Sequence, residues 1–208
     1  MSKHTRFISA ALIVTGALMI AACAGLIWWN AHQSSEAQKS SAELASQAQS
    51  VISQRRQEAS SYSADNSSRS AIEEMKKRMP VVDVDGNDCI GYLTIASVDL
   101  KLPVLNSYSE YKLNIAPCRY YGSLETDDLV IAGHNFNSSF EKLKSLKDND
   151  TVLFTNMDGE TFKYRVEETE MLKPAQVTDM VKSSYELSLY TCNYSGSERF
   201  TVRCRSTD

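Results

Sequence analysis

With 208 residues and a formal net charge of −4, the chain is sized for one modest domain plus extensions. The slightly acidic balance argues against a nucleic-acid binder, whose mark is a basic patch or stripe. With only eight Gly and no glycine-rich phosphate loop, a nucleotide-binding fold has little support.

Lys3 and Arg6 lie in a short N-terminal stretch, 1–6, and from Phe7 to Trp29 no residue is charged. At about 1.5 Å per residue that run can cross a hydrocarbon core about 30 Å thick. It also exceeds the apolar region of about 7–15 residues in a cleaved signal peptide. We therefore read 7–29 as an uncleaved transmembrane anchor with 1–6 in the cytoplasm and the remainder exported. Trp28 and Trp29 sit where an interfacial aromatic belt belongs. Ile20-Ala21-Ala22-Cys23 looks like a lipoprotein processing box, but the apolar run continues beyond it. Cys23 reads as a small membrane-buried apolar residue.

Residues 30–79 are rich in Ser, Ala, Gln and Glu, and sparse in apolar side chains. Such a segment does not fold alone. It reads as a polar spacer, partly helical around Leu44 and partly disordered, with Ile72–Arg78 a candidate helix on the domain edge. Pro80 ends it, and 80–208 reads as the folded domain. Short apolar runs then follow: Ile90–Val98, Leu100–Leu105, Leu129–His134, Val152–Thr155, Thr161–Leu172, Leu187–Cys192 and Arg199–Cys204. Short strands divided by turn residues predict a mostly β barrel or sandwich. Asn156-Met157-Asp158-Gly159 predicts a hairpin turn. Phe140, Leu143 and Leu146 fall three apart and predict a short helix. Another is expected within Ala175–Ser183.

Three residues carry chemistry. His134 closes Ile131-Ala132-Gly133-His134, and Cys192 closes Leu189-Tyr190-Thr191-Cys192. Arg199 opens Arg199-Phe200-Thr201-Val202-Arg203 after a polar loop, Asn193–Glu198. A thiol, an imidazole and a guanidinium at strand ends can form one acyl-transfer site, with nucleophile, proton carrier and oxyanion stabiliser. Arg203 is the runner-up to Arg199, since period two puts both on one face. The remaining exported cysteines, Cys89, Cys118 and Cys204, show no zinc spacing and read as buried small hydrophobes.

The histidine-first order and these flanking residues resemble the sortase family, cell-wall transpeptidases of Gram-positive-type cells. The resemblance runs from about Ile90 to Arg205. Sortases carry Thr-Leu-x-Thr-Cys at a strand end and an arginine on the next strand; here the stretch is Ser188-Leu189-Tyr190-Thr191-Cys192, with Ser188 replacing the first Thr. The resemblance implies a closed β-barrel of about seven to eight strands with short helices. It implies cleavage of a Leu-Pro-x-Thr-Gly-like sorting signal through a thioacyl-enzyme at Cys192, with His134 protonating the leaving amine and Arg199 holding the oxyanion. The partners it implies are surface proteins or pilins bearing that signal and an amine of a cell-wall precursor or pilin. Thr191, beside the nucleophile, and Pro174 and Val177, in Lys173–Glu186, are the expected substrate-binding residues. No cofactor or metal is expected. Some sortases bind calcium ahead of the histidine strand, but Glu125, Asp127 and Asp128 here read as a solvated loop. Two other readings compete: a thiol peptidase that only hydrolyses, and a non-enzymatic surface module in which Cys192 is structural.

Overall fold

The structure is a computed structural model that describes residues 3–62 and 77–207. The chain divides into two units, Met1–Glu36 and Ala37–Asp208. Helix α1 covers Lys3–Tyr62. In the first unit, Ile13, Val14, Leu18, Ile20, Leu26 and Ile27 are exposed. Among the described residues, no helix is long and apolar enough to cross a membrane. Of the expected span 7–29, side chains are described only for 13–28. The helix expected over Ile72–Arg78 lies, up to position 76, outside the described residues.

Among the described residues the second unit has nine strands: β1 (Val82–Val84), β2 (Asn87–Ile95), β3 (Leu100–Leu105), β4 (Cys118–Tyr121), β5 (Leu129–Gly133), β6 (Thr151–Asn156), β7 (Thr161–Leu172), β8 (Leu187–Cys192) and β9 (Arg199–Ser206). Their order is β1-β2-β3-β4-β5-β8-β9-β7-β6, and β6 pairs back onto β2. Strands β2 to β9 thus close a ring of eight, with β1 a hairpin arm on β2. The closing seam matches Gly91 with Asn156, Tyr92 with Thr155 and Leu93 with Phe154. Closure removes the free edges that an open sheet would expose.

Alternation sorts each strand into two faces. Ile131, Leu187, Leu189, Val202 and Cys204 point inward and join Ile90, Leu93 and Ile95 in one core. Val130, Ala132 and Tyr190 point outward, yet they too are buried, beneath Leu172 and Met180. Strand β5 is therefore buried at all five positions, which explains its unbroken apolar sequence. Phe140 and Leu143 cap the core from a 3-10 segment, Phe140–Ser145. The spacing of three that predicted a helix there is the period of a 3-10 turn, in which such residues eclipse.

Two strands escaped the sequence reading. β1 has three residues, and β4 is the short Cys-Arg-Tyr-Tyr stretch after Pro117. A one-turn helix α2 (Glu110–Leu113) was also unread; Ser109 caps it by accepting from the Lys112 N–H at 3.1 Å. Helix α3 (Val177–Val181) lies within the expected stretch. The Asn156–Gly159 hairpin forms as read: Asn156 Oδ1 accepts from the N–H groups of Asp158 and Glu160 at 3.0 and 2.9 Å.

The spacer is helical around Leu44 and packs along one face. Leu44, Ala45, Ala48 and Ile52 make a buried stripe on α1, with Leu44 and Ile52 packed against Leu105, Cys118 and Met157. Arg55 Nη1 meets Asp158 Oδ1 at 3.0 Å. Part of the polar segment is thus a structural element of the second unit, because two large apolar residues and two alanines at helical spacing suffice for a narrow stripe.

Barrel closure depends on Gly91. Its φ is +153°, and a Cβ there would lie 2.2 Å from the Thr155 carbonyl oxygen across the seam. Gly91→Ala is expected to lower stability by about 2 kcal/mol or more, through backbone strain and a forced shift of β6. Thermal unfolding of the variant beside the parent chain checks this; an unchanged melting temperature contradicts it.

Candidate active site

The site is assembled by strand register. β8 pairs parallel to β5, with Gly133 opposite Thr191, so His134 and Cys192 are the next residues on adjacent strands. β8 also pairs antiparallel to β9, with Cys192 directly opposite Arg199. The short loop Asn193–Glu198 is what returns the chain to that register. Alternation then puts all three side chains on the outer face of the barrel, with Tyr190 and away from the core.

Gly133 fixes where His134 begins. The Phe140 ring covers Gly133 so closely that a Cβ would lie 2.3 Å from the ring. The Phe140 N–H donates to the His134 carbonyl at 3.0 Å. His134 Nδ1 bonds Asn135 Oδ1 at 3.1 Å, and the Phe136 ring stacks on the imidazole at 3.8 Å between centroids. Burial holds the His134 pKa below its ordinary value, opposed by the Asn135 hydrogen bond and the Glu110 charge.

Cys192 differs from the other cysteines of this unit. It is half-buried, whereas Cys89, Cys118 and Cys204 are fully buried, and all are free thiols. Burial pushes the Cys89 thiol up to about 12 and that of Cys118 up to about 11, and raises Cys204 as well. Those three are inert at neutral pH. Arg199 is half-buried, and its Nη1 donates to the carbonyls of Gly196 and Glu198 at 3.0 and 3.5 Å. Its Nε and Nη2 make no hydrogen bond among the described residues, so the guanidinium has donors left for a ligand.

Beside Arg199 lies an open groove of about 180 Å³. One wall is the β7–β8 connection, with Lys173, Pro174, Gln176, Val177 and Met180; the other side is Tyr108, Tyr120 and Tyr190. The expected Pro174 and Val177 are therefore at the groove. Met180 is mostly buried and anchors α3, while Val177 is nearly half exposed. Thr191 is placed otherwise: it is fully buried on the inner face and does not line the groove. The residue next to a nucleophile in a strand points through the sheet, which is the physical reason.

The tyrosines were missed by the sequence reading. Tyr120 meets Tyr108 and Tyr190 edge to face, at 5.5 and 5.3 Å between centroids. They come from the β3–α2 loop, β4 and β8, and no linear pattern joins them. Burial raises the Tyr108 hydroxyl to about 12, helped by its hydrogen bond to Glu110. Burial raises that of Tyr190 also. The groove thus carries neutral hydroxyls beside two cations, Lys173 and Arg199.

Arg203, the alternative to Arg199, is 2% exposed. Its Nε pairs with Glu170 at 2.7 Å, its Nη1 donates to Ser188 Oγ at 2.7 Å and the Met180 carbonyl at 3.1 Å, and its Nη2 donates to the Asp179 carbonyl at 2.7 Å. It straps the groove wall to β8, and Ser188 is its acceptor there. The acids ahead of β5 are engaged locally: Asp127 pairs with Lys77 at 2.7 Å, and Asp128 accepts from Thr126 and the Ser123 N–H.

The family profile described as the Sortase domain matches residues 93–207, more than half of the chain. The chain belongs to the sortase family. Sortases are cysteine transpeptidases of the cell wall. A curated relative, Sortase A of Staphylococcus aureus (strain NCTC 8325 / PS 47), is 26% identical over 142 residues, covering 64% of this chain and 68% of that protein. The fold is similar to sortase C-1 from Actinomyces oris, with a TM-score of 0.53, 21% identity and coverage of 76% of this chain and 98% of the other. It is also similar to the pilus-related sortase C of Group B Streptococcus, with a TM-score of 0.53, 24% identity and coverage of 64% and 76%. For the Clostridium perfringens sortase D5 transpeptidase the TM-score is 0.52, with 18% identity and coverage of 69% and 91%. The closed eight-strand barrel is the architecture shared with these sortases.

The two arginines are separable by experiment. Arg203→Ala leaves Glu170 and buried acceptors unpaired and is expected to destabilise the domain by about 3–5 kcal/mol. Arg199→Ala, at a half-exposed strand end, is expected to change stability by under about 1 kcal/mol. Denaturant unfolding of both variants checks the contrast; equal losses contradict it.

Proposed function

We propose that this chain is a membrane-anchored transpeptidase with Cys192, His134 and Arg199 as its catalytic residues. It cleaves a Leu-Pro-x-Thr-Gly-like signal between Thr and Gly and joins the acyl group to an amine of a cell-wall precursor or pilin. The observation that carries the reading is the register of β8, which faces Arg199 on one side and brings His134 alongside on the other.

In the first half-reaction the Cys192 thiolate attacks the Thr carbonyl carbon. A carbon–sulfur bond forms, and the carbonyl electron pair moves to oxygen, where Arg199 donates hydrogen bonds. The pair returns, the carbon–nitrogen bond breaks, and His134 delivers a proton to the departing amine. A thioester remains. In the second half an acceptor amine attacks it, forming an amide; the carbon–sulfur bond breaks, and His134 takes the amine proton. Water in the acceptor's place gives a carboxylate, the hydrolytic product.

Pro174 and Val177 offer apolar surface to the Leu-Pro portion, and the Tyr120 and Tyr190 hydroxyls offer donors to its backbone carbonyls, that of Tyr108 being given to Glu110. Thr191 is not part of this proposal, given its burial. The anchor rests on the uncharged run Phe7–Trp29, whose large apolar side chains described between Ile13 and Trp28 are exposed. Lys3 and Arg6 ahead of it set the catalytic domain on the extracytoplasmic face. No step of the proposed chemistry calls for a metal or cofactor.

The test incubates the detergent-solubilised chain with Leu-Pro-x-Thr-Gly-like peptides, with and without amine acceptors, and reads products by mass spectrometry. Cleavage between Thr and Gly is expected, with an acyl adduct that is lost in Cys192→Ala and an acceptor-dependent amide product. Folded protein that forms no adduct with any peptide would contradict the proposal. Cleavage that never yields an amide would reduce the activity to hydrolysis.

A further inference from the structure

No residue of the proposed catalytic set orients the imidazole: Arg199 sits beyond Cys192, on the far strand. Phe136 stacks on the ring, and the side chain that hydrogen-bonds it belongs to the next residue in the chain. Asn135 Oδ1 lies 3.1 Å from His134 Nδ1, and Asn135 Nδ2 lies 3.4 Å from the Asn193 carbonyl oxygen. The second contact decides the first. A carbonyl oxygen only accepts, so the Asn135 group facing it is the NH₂. The amide oxygen is then the atom facing the ring, and Nδ1 must be the donor. His134 is thereby held as the Nδ1–H tautomer, and Nε2 is left as the nitrogen that gains and gives up the proton.

We infer that Asn135 is the positioning residue of this site, fixing the tautomer and orientation of His134 and joining the histidine loop to the loop that follows Cys192. The inference rests on the proposed function, since it gives Asn135 its meaning through His134. One amide spans both loops, so a shift of Asn193 is felt at the imidazole. Phe136 closes the other constraint by stacking 11° from parallel with the ring. A ring stacked on one face and bonded at Nδ1 has one remaining rotational freedom removed by each contact.

The charged and titratable groups around the ring set the sign of the pH response. Glu110 of α2 faces it with a negative charge; by register Cys192 is on the adjacent strand and Arg199 one strand further. Burial lowers the His134 pKa; the Asn135 bond opposes that, because an N–H acceptor favours the imidazolium. Removing the acceptor therefore moves the histidine titration further to acid. A carboxylate in its place moves it to alkaline, as an opposite charge favours the protonated ring.

The test compares the full chain with Asn135→Ala and Asn135→Asp by NMR titration of His134 and by the pH profile of acyl transfer. For Asn135→Ala the inference expects an acid-ward shift of the His134 titration and a fall in kcat of roughly tenfold to a hundredfold, with KM nearly unchanged. For Asn135→Asp it expects recovery of most of that rate, with the histidine-dependent limb displaced to alkaline. A merely structural role would lower stability and leave the titration where it was. Active wild-type protein whose Asn135→Ala variant keeps both rate and titration overturns the inference. A wild-type chain without acyl transfer whose titration nonetheless moves in Asn135→Ala overturns the proposed function and upholds the hold of Asn135 on the ring.

Discussion

Everything at the candidate site depends on the pairing of one strand with two neighbours. β8 runs parallel to β5 up to Thr191, opposite Gly133, and antiparallel to β9 up to Cys192, opposite Arg199. A slip of one residue in either would turn a site residue through the sheet into the core. The register is held from inside, where Ile131, Leu189 and Val202 meet in the core, and from the Gly133–Phe140 contact at the strand's end. Hydrophobic packing of the barrel interior thus sets the geometry of a polar site on its exterior.

The outer face is where this barrel departs from a simple inside–outside protein. Its β5 and β8 residues are covered by the β7–β8 connection, and that cover is held by a buried guanidinium. Arg203 bonds two α3 carbonyls, a β8 hydroxyl and a β7 carboxylate. Fully satisfied, such a network gives the groove wall one position relative to β8. Arg199, four residues earlier on the same face, keeps part of its fork unengaged. The same side-chain chemistry serves as strut at one position and as a proposed oxyanion donor at the other, and burial separates the two.

The sequence disclosed the strands that carry the site because each is a short apolar run ended by turn residues. It disclosed the closed barrel through the sortase resemblance. It did not disclose β4, whose Cys-Arg-Tyr-Tyr sequence has no clean alternation, or the tyrosine cluster, which three separate segments bring together. Thr191 was expected at the substrate because it adjoins Cys192 in the chain; in a strand, adjacency means opposite faces. The α1 stripe was hidden by composition, since Ser, Gln and Glu outnumber its few apolar residues while the stripe needs only one side of the helix. Asn135 was visible as a letter beside His134, but its two partners are settled by the fold.

The most direct test of the account is a crystal structure of the chain with a Leu-Pro-x-Thr peptide bearing a thiol-reactive electrophile, captured on Cys192. The account predicts the peptide's carbonyl oxygen within hydrogen-bond distance of the Arg199 guanidinium. It also predicts Nε2 of His134 facing the sulfur and the Leu-Pro portion along Pro174 and Val177. A captured peptide whose carbonyl turns away from Arg199, with the histidine ring facing elsewhere, would contradict it.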